Sequence, residues 1–406
     1  MSISATEKLA AFTSRLTMDD IPQGVRDHAK KCILDTLCCG LFGSHRPEGI
    51  SVMGALKELS CNCAGAAVWG TGFETDCERA AFANGIMVQS FTMDDIHNRS
   101  IMHPGAVTVP TALAIGKRVS PLNGKDLLAA VIAGYETAIR VGLAVSPSAR
   151  VRGHHVVGIC GPFGAAAVAG KLMGLDAARM QSAFGNAGSQ GCGLMSAQFG
   201  FMTQRLHAGR ANQSGISAVF LARSGFAGTT NVLEAEYGGF CRTYADQWSL
   251  EKTVEGLGES FESVNVGLRP YACAGSVCTS VDAVKALKEE HQIDPSAIKE
   301  VVITCNESIA LHCGWTYAPD TVIAAQMNIP YGVAVTLLEG DASVRQYTEE
   351  KICDSKILEL VSKVKVVHDP SLDEKGQSHA YYVHARITTV TEEEYTGEVF
   401  WAKGTP

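Results

Sequence analysis

The stretch HVVGICGPFGAAAVAGKLMG, residues 155–174, carries no formal charge before Lys171 and spreads glycine and alanine over most faces of a helix. A helix that is small and apolar nearly all round is one that neighbours cover on every side. Text rich in Ala, Gly and Leu at helical spacing runs from residue 1 to about 265. Pro22 suits the first position of a helix whose apolar residues Val25, Ala29, Cys32, Ile33, Thr36 and Leu37 follow the 3–4 rhythm. Spacing and Gly/Pro/Asn punctuation predict further helices at about 77–90, 105–118, 124–145, 156–173, 176–188, 208–224 and 230–236.

After about residue 266 the text changes. Lys and Glu become dense, and β-branched runs predict strands at 300–306, 364–367, 382–391 and 398–402, with helices at about 276–290 and 321–339. The expected fold class is mainly α: a large all-helical domain over 1–266 and a smaller α+β domain over 267–406. A chain of 406 residues suits two such domains, each with its own core.

Composition removes several function classes. With 46% hydrophobic residues the chain is no disordered tail. A net charge of −8 gives no basic footprint for nucleic acid, although local Arg and His can still hold a small anion. The fourteen cysteines include no Cys-x-x-Cys pair and no spacing typical of zinc or iron–sulfur ligands, so they read as buried thiols in a reducing compartment, with no metal expected. The N-terminus has no apolar signal region and carries acids at Glu7, Asp19 and Asp20, which predicts a cytoplasmic protein. The longest uncharged stretch, Met180–Gln204, is too rich in Gly, Asn, Gln and Ser to span a bilayer, and no membrane segment is expected.

Four segments gather His and Arg among small or turn-forming residues: MDDIHNRSIMHPGA (93–106), ARVRGHHVVG (149–158), QRLHAGRANQSG (204–215) and GLRPYACAG (267–275). In the first, Asp94 and Asp95 precede His103, and Pro104 opens a helix. This reads either as an N-cap loop, with Asp95 capping and His103 exposed, or as a histidine at a helix N-terminus that holds an anion or passes a proton. His154 and His155 have the same two readings. Arg205, His207 and Arg210 stand ahead of a Gly/Ala-rich helix, either as clamps for a di- or tricarboxylate or as a salt-bridge network. Tyr331 falls in an apolar helix, where a phenol is usually a satisfied core group. No Gly-x-Gly-x-x-Gly after a strand, Walker motif or Gly-x-Ser-x-Gly elbow is present. Cofactor-free proton transfer on a carboxylate substrate is the chemistry left standing.

The ordered set HPGA (103–106), GHHVVGICGPFGAAA (153–167), QGCGLMSAQFG (190–200), RLHAGRANQSG (205–215) and PYACAGS (270–276) resembles the MmgE/PrpD family. That family includes 2-methylcitrate dehydratase, cis-aconitate decarboxylase and iminodisuccinate epimerase. CGLMSAQ, HCGW (312–315) and AAQMNIPY (324–331) look closest to cis-aconitate decarboxylase-like members. The resemblance implies a helical domain, an α+β lid domain, a homodimer and a metal-free site. It matches His103 and His155 to two active-site histidines, Tyr331 to a lid tyrosine, His207 to the histidine of a Lys-x-x-His segment, and Asp94 and Asp95 to paired acids. Gln204 and Arg269 stand where the family usually has lysines, Cys278 replaces a histidine, and Thr92 replaces an acid of some decarboxylases. The resemblance also implies helices after the Lys-Gly-x-Pro stretch; this sequence ends at Pro406, and the expectation is that those helices are absent or were removed.

The expectation is a cofactor-free lyase on a citrate- or aconitate-like polycarboxylate. His103 and His155 would move the proton and Tyr331 would donate a hydrogen bond. Asp94, Asp95, Gln204, Arg205, His207 and Arg269 would form the binding set. The alternatives are an epimerase or isomerase of a polycarboxylate, or a catalytically silent binder.

Overall fold

The computed structural model describes residues 4–59, 65–119 and 121–406. Cys61 and Cys63 lie outside them; the twelve described cysteines are free thiols, of which Cys38, Cys192 and Cys353 are exposed rather than buried. The chain is mostly helical with little strand, and it divides into two compact units, Met1–Ala197 with Met202–Leu268, and Gln198–Phe201 with Arg269–Thr405.

The first unit holds α1 (Ala5–Arg15), α2 (Gln23–Gly43), α3 (Pro47–Leu59), α4 (Cys77–Gln89), α5 (Pro104–Arg118), α6 (Gly124–Val145), α7 (Ser148–Val151), α8 (Val156–Leu172), α9 (Ala177–Gly188), α10 (Thr203–Arg223) and α11 (Phe240–Tyr244). The quoted stretch is its axis: every residue of α8 from Val156 to Gly170 is buried, with α5, α6, α9 and α10 packed around it. Small residues set those distances. At Gly215 on α10 an added Cβ would stand 2.5 Å from Ala165 Cβ and 2.7 Å from the Pro162 carbonyl, so α10 can lie this close to α8 only without a side chain there.

Helix α6 is long and apolar enough to cross a membrane, yet 94% of its apolar window is buried inside the unit. Glu136 and Arg140, one turn apart on it, form a buried ion pair with Nε 3.1 Å from Oε2. Every arm of the pair is used: Glu136 accepts from the amides of Glu262 and Ser263, and Arg140 donates to the carbonyls of Glu255 and Ser260. Burial raises the Glu136 carboxyl, while Arg140 and the two amides oppose that. The pair therefore fastens segment 255–263 to the core.

The second unit carries a four-stranded sheet in the order β4-β3-β5-β6, with β3 (Ile298–Cys305) parallel to β4 (Val364–His368) and antiparallel to β5 (Val383–Thr389), which pairs antiparallel with β6 (Glu394–Val399). Helix α12 (Gly275–His291) packs on β5 and β6. The remaining helices are α13 (Glu307–Cys313), α14 (Val322–Gln326), α15 (Ile329–Glu339), α16 (Ser355–Val361) and α17 (Pro370–Asp373).

Several expectations change. The first unit is not all-helical: β1 (Ala66–Val68) and β2 (Phe73–Thr75) form a hairpin whose three-residue strands are too short for a period-2 signal. Residues 230–236 are turns rather than a helix, because Leu233 N donates to Thr6 Oγ1 and Phe240 N returns to the Val232 carbonyl. The helix expected at 321–339 breaks into α14 and α15, where Pro330 has no N–H to give and Asn328 Oδ1 caps Tyr331 N at 3.0 Å. The last strand sits at 394–399, a half-exposed polar stretch, and the aromatic run after it lies outside the sheet. Helix α10 begins at Thr203, which puts Arg205, His207 and Arg210 inside the helix rather than ahead of it.

Removing one partner of the buried pair strands the other. Arg140→Met should cost about 3–5 kcal/mol of stability, the usual penalty for an uncompensated buried charge, read from the midpoint of denaturant unfolding. A loss below about 1 kcal/mol would mean that segment 255–263 is held by other contacts.

Candidate active site

The start of α8 and the first turns of α10 lie side by side in the first unit. His155 is the N-cap residue of α8, and its amide donates to the Gly193 carbonyl at 3.1 Å. Segment 192–195 is laced along that start, since Cys192 N donates to the Gly158 carbonyl and Met195 N to the Gly153 carbonyl. A Cβ at Gly158 would lie 1.9 Å from the Cys192 carbonyl oxygen, so only glycine admits this approach. His207, on the buried face of α10, then meets His155 ring to ring: the two Nδ1 atoms are 3.0 Å apart and the ring centroids 4.9 Å. Both residues are more than nine-tenths buried.

The third histidine stands on the loop before α5. His103 is the N-cap residue of α5 without capping it; the cap is Asp95, whose Oδ1 accepts from Gly105 N at 3.0 Å while Oδ2 accepts from the Tyr135 hydroxyl at 2.6 Å. Asp94 turns the other way, with Oδ2 3.0 Å from His103 Nδ1 and accepting from Gln89 Nε2 at 3.2 Å. The two adjacent acids therefore divide their work, one closing a helix end and the other facing the histidine. The His103 side chain keeps 16% of its surface exposed, against 2% for Asp94.

The loop itself is stiff. Ile96 and His97 form single backbone bridges to Gly267 and Met102, His97 Nδ1 lies 2.8 Å from Ser100 Oγ, and Glu262 engages both His97 and Arg99. His97 first, then Asn265 and Arg99, hold the Glu262 carboxyl down to about 2. Two β-branched residues of this stretch, Thr92 and Ile101, have φ of 52° and 56°, in the left-handed region. Such strain costs about 1–3 kcal/mol per residue and concentrates where surroundings impose a functional geometry. Thr92 Oγ1 accepts from Arg205 Nη2 at 2.8 Å, joining the loop to α10.

The structure thus brings Asp94, His103, His155, Arg205 and His207 into one electrostatic neighbourhood. Burial first, then His207, His103 and Arg205, push His155 well below the usual histidine range, with Asp94 opposing. Burial and Arg205 lower His207 to about 4. Burial, then the charge of Asp35, raise Asp95 well above the carboxylate range. Both facing imidazoles are therefore neutral near pH 7, and each can give or take a proton.

The other expected residues have definite places. Gln204 is half-buried, its carbonyl accepting from Arg205 Nη1 at 3.3 Å. Arg210 is exposed and donates to Gln213. His154 sets its ring edge-on to Tyr244 at 5.0 Å. Arg269 and Tyr331 belong to the second unit. Arg269 donates to the Cys273 carbonyl at 3.3 Å, and Tyr331 is fully buried between Tyr317 and Tyr347, its hydroxyl donating to the Gln346 carbonyl at 2.6 Å. That hydrogen must leave Gln346 before it can serve another acceptor. Gln89 and Tyr135, which hold the two acids, had no sequence signal because both fall on ordinary helical text. Among the described residues no group of three or more His, Cys, Asp or Glu has the arrangement of a metal site.

Residues 7–253 match the MmgE/PrpD N-terminal domain and residues 271–406 the MmgE/PrpD C-terminal domain. The chain belongs to the MmgE/PrpD family. It is 30% identical over 392 residues to the cis-aconitate decarboxylase of Aspergillus terreus, covering 91% of this chain and 80% of that protein. It is 26% identical over 422 residues to the mouse cis-aconitate decarboxylase, covering 98% and 84%, and 25% identical over 419 residues to the 2-methylcitrate dehydratase of Cupriavidus necator, covering 94% and 82%.

Two neutral buried histidines leave a mark on stability. An unfolded histidine binds its proton near pH 6.5 and folded His207 near 4, so between those values the unfolded chain holds more protons and stability falls as pH falls. His207→Gln should flatten this slope between about pH 6.5 and 4, measured as urea midpoints across that range. Equal slopes in both proteins would contradict a neutral His207.

Proposed function

We propose that this chain is a cofactor-free lyase acting on a citrate- or aconitate-like polycarboxylate by general acid–base catalysis. The class rests on the family: the compared relatives are a cis-aconitate decarboxylase and a 2-methylcitrate dehydratase, both lyases on tricarboxylates. The observation that carries the chemistry is the grouping of His103, His155 and Arg205, with Asp94 3.0 Å from His103.

Taking a proton from carbon next to a carboxylate builds negative charge on a group already negative, so a fixed cation nearby is the main lever. Arg205 supplies it as a planar fork suited to carboxylate. His155, neutral in the free protein, is ready as a base, and a bound polyanion favours its protonated form, which makes it an acid for the reverse transfer. His103 with Asp94 is the second proton carrier. In the same reading Arg269 holds a further carboxylate, Tyr331 donates a hydrogen bond, and the protein is a metal-independent cytoplasmic homodimer. Replacement of the usual lysine by Gln204, hydrogen-bonded to Arg205, favours a substrate preference different from that of the relatives.

Incubation with citrate, 2-methylcitrate, cis-aconitate and iminodisuccinate, followed by proton NMR, tests the class. Loss of water or carbon dioxide from one acid is expected; inversion without loss would make the protein an epimerase, and binding without turnover a silent member. On the active acid, His103→Ala and His155→Ala should each lower kcat by roughly 10²–10⁴-fold with little change in melting temperature. His154→Ala is the control, and a loss of kcat there equal to that of His155→Ala would overturn the assignment.

A further inference from the structure

The ring contact between His155 and His207 is a constraint on how His155 can work. A nitrogen–nitrogen separation of 3.0 Å is a hydrogen bond. Between two imidazoles it needs one Nδ1–H and one bare Nδ1. The two rings therefore hold opposite tautomers when neutral. His155 cannot offer Nδ1 to a substrate, because that atom is already engaged, and only its Nε2 is left for chemistry. His207 is equally committed, its Nδ1 spent on His155 and the residue as a whole more than nine-tenths buried.

We infer that His207 is not a substrate ligand but the positioning residue of His155: the two Nδ1 atoms share one proton, so that His155 acts through Nε2 and movement of the shared proton switches it between acceptor and donor. In the acceptor state His155 carries its hydrogen on Nδ1 and a lone pair on Nε2, while His207 carries its hydrogen on Nε2. When Nε2 of His155 takes a proton from substrate carbon, the electron pair of the broken C–H bond stays on the substrate. The Nδ1 hydrogen of His155 then passes to Nδ1 of His207. His155 ends as a neutral ring with hydrogen on Nε2, and His207 ends with both nitrogens protonated. The pair has gained one positive charge and the substrate one negative charge, and the reverse transfer restores both.

The fold supports such a device rather than an accidental contact. His155 is fixed at the start of α8 by its amide bond to Gly193, and His207 rides on α10, whose separation from α8 is set by small residues. The groups that face the pair are Arg205 on α10, and Asp94 and His103 from the loop and start of α5. Arg205 and His103 oppose permanent charge on the rings, so the added proton stays only while the substrate's new negative charge is present. Asp94 favours it.

The catalytic consequence rests on the lyase reading; the shared proton does not. The first measurement is nitrogen-15 and proton NMR of the free protein with labelled histidine. Wild type should show one proton resonance coupled to the Nδ1 atoms of two histidines, absent from His155→Gln and from His207→Leu. His155 in His207→Leu should settle into a single tautomer. The second measurement is steady-state kinetics on the acid that the protein turns over. His207→Leu should lower kcat by about 10²-fold or more with KM within about 3-fold of wild type, and shift the acid limb of the pH–rate profile. His207→Asn, which keeps an amide near the position of Nδ1, should hold one tautomer and recover part of the rate. An unchanged His155 tautomer in His207→Leu, or a raised KM with kcat intact, overturns the inference. A shared proton in a protein that turns over no polycarboxylate supports the pairing and overturns only the lyase reading.

Discussion

The close approach of α8 and α10 is the constraint on which the site depends. Glycine and alanine along both helices remove the side chains that would hold them apart, and at Gly158 and Gly215 even a methyl group would collide with backbone or with a neighbouring alanine. Because α8 is buried on every face, it cannot shift to relieve a misfit. Its first residue is therefore fixed as firmly as its middle. The two histidine rings meet at hydrogen-bonding distance as a result of helix packing, not of loop conformation.

The second support is the loop from Thr92 to His103. It carries two residues in the left-handed region, a buried acid that caps α5, and a second acid that faces His103. Such a loop persists only when its surroundings over-determine it. Glu262 does part of this by holding His97 and Arg99, and Glu262 in turn belongs to the segment fastened by Glu136 and Arg140. The chain of contacts runs from a buried ion pair on α6 through one carboxylate to the loop that presents His103. A polar core network at this depth is costly to assemble, and here it fixes the geometry of a site rather than adding stability alone.

Much of this was legible in the text. The 3–4 rhythm located α4, α5, α6, α8 and α9 within a residue or two, because long buried helices repeat their pattern many times. Ordered motifs pointed to the family and to His103, His155 and Asp94 together. Other features were hidden for physical reasons. Arg205 and His207 read as a loop because their Gly- and Ser-rich surroundings resemble punctuation, whereas glycine there serves helix-to-helix contact. The division of labour between Asp94 and Asp95 depends on which way two adjacent side chains turn, and no spacing encodes that. Tyr331 read in the sequence as a satisfied core phenol or as a hydrogen-bond donor to substrate, and which carbonyl its hydroxyl would meet, that of Gln346 fifteen residues further along the chain, had no local signal.

In the proposed function, His155, buried at the start of α8 and neutral near pH 7, moves a proton to or from substrate carbon. Turnover of the active polycarboxylate in deuterium oxide, followed by proton and deuterium NMR, tests it most directly. Wild type should place one solvent deuteron on one face of the reacting carbon, and His155→Gln should bind the acid but form no deuterated species. Turnover without solvent deuterium at that carbon, or deuteration at the wild-type rate in His155→Gln, would contradict it.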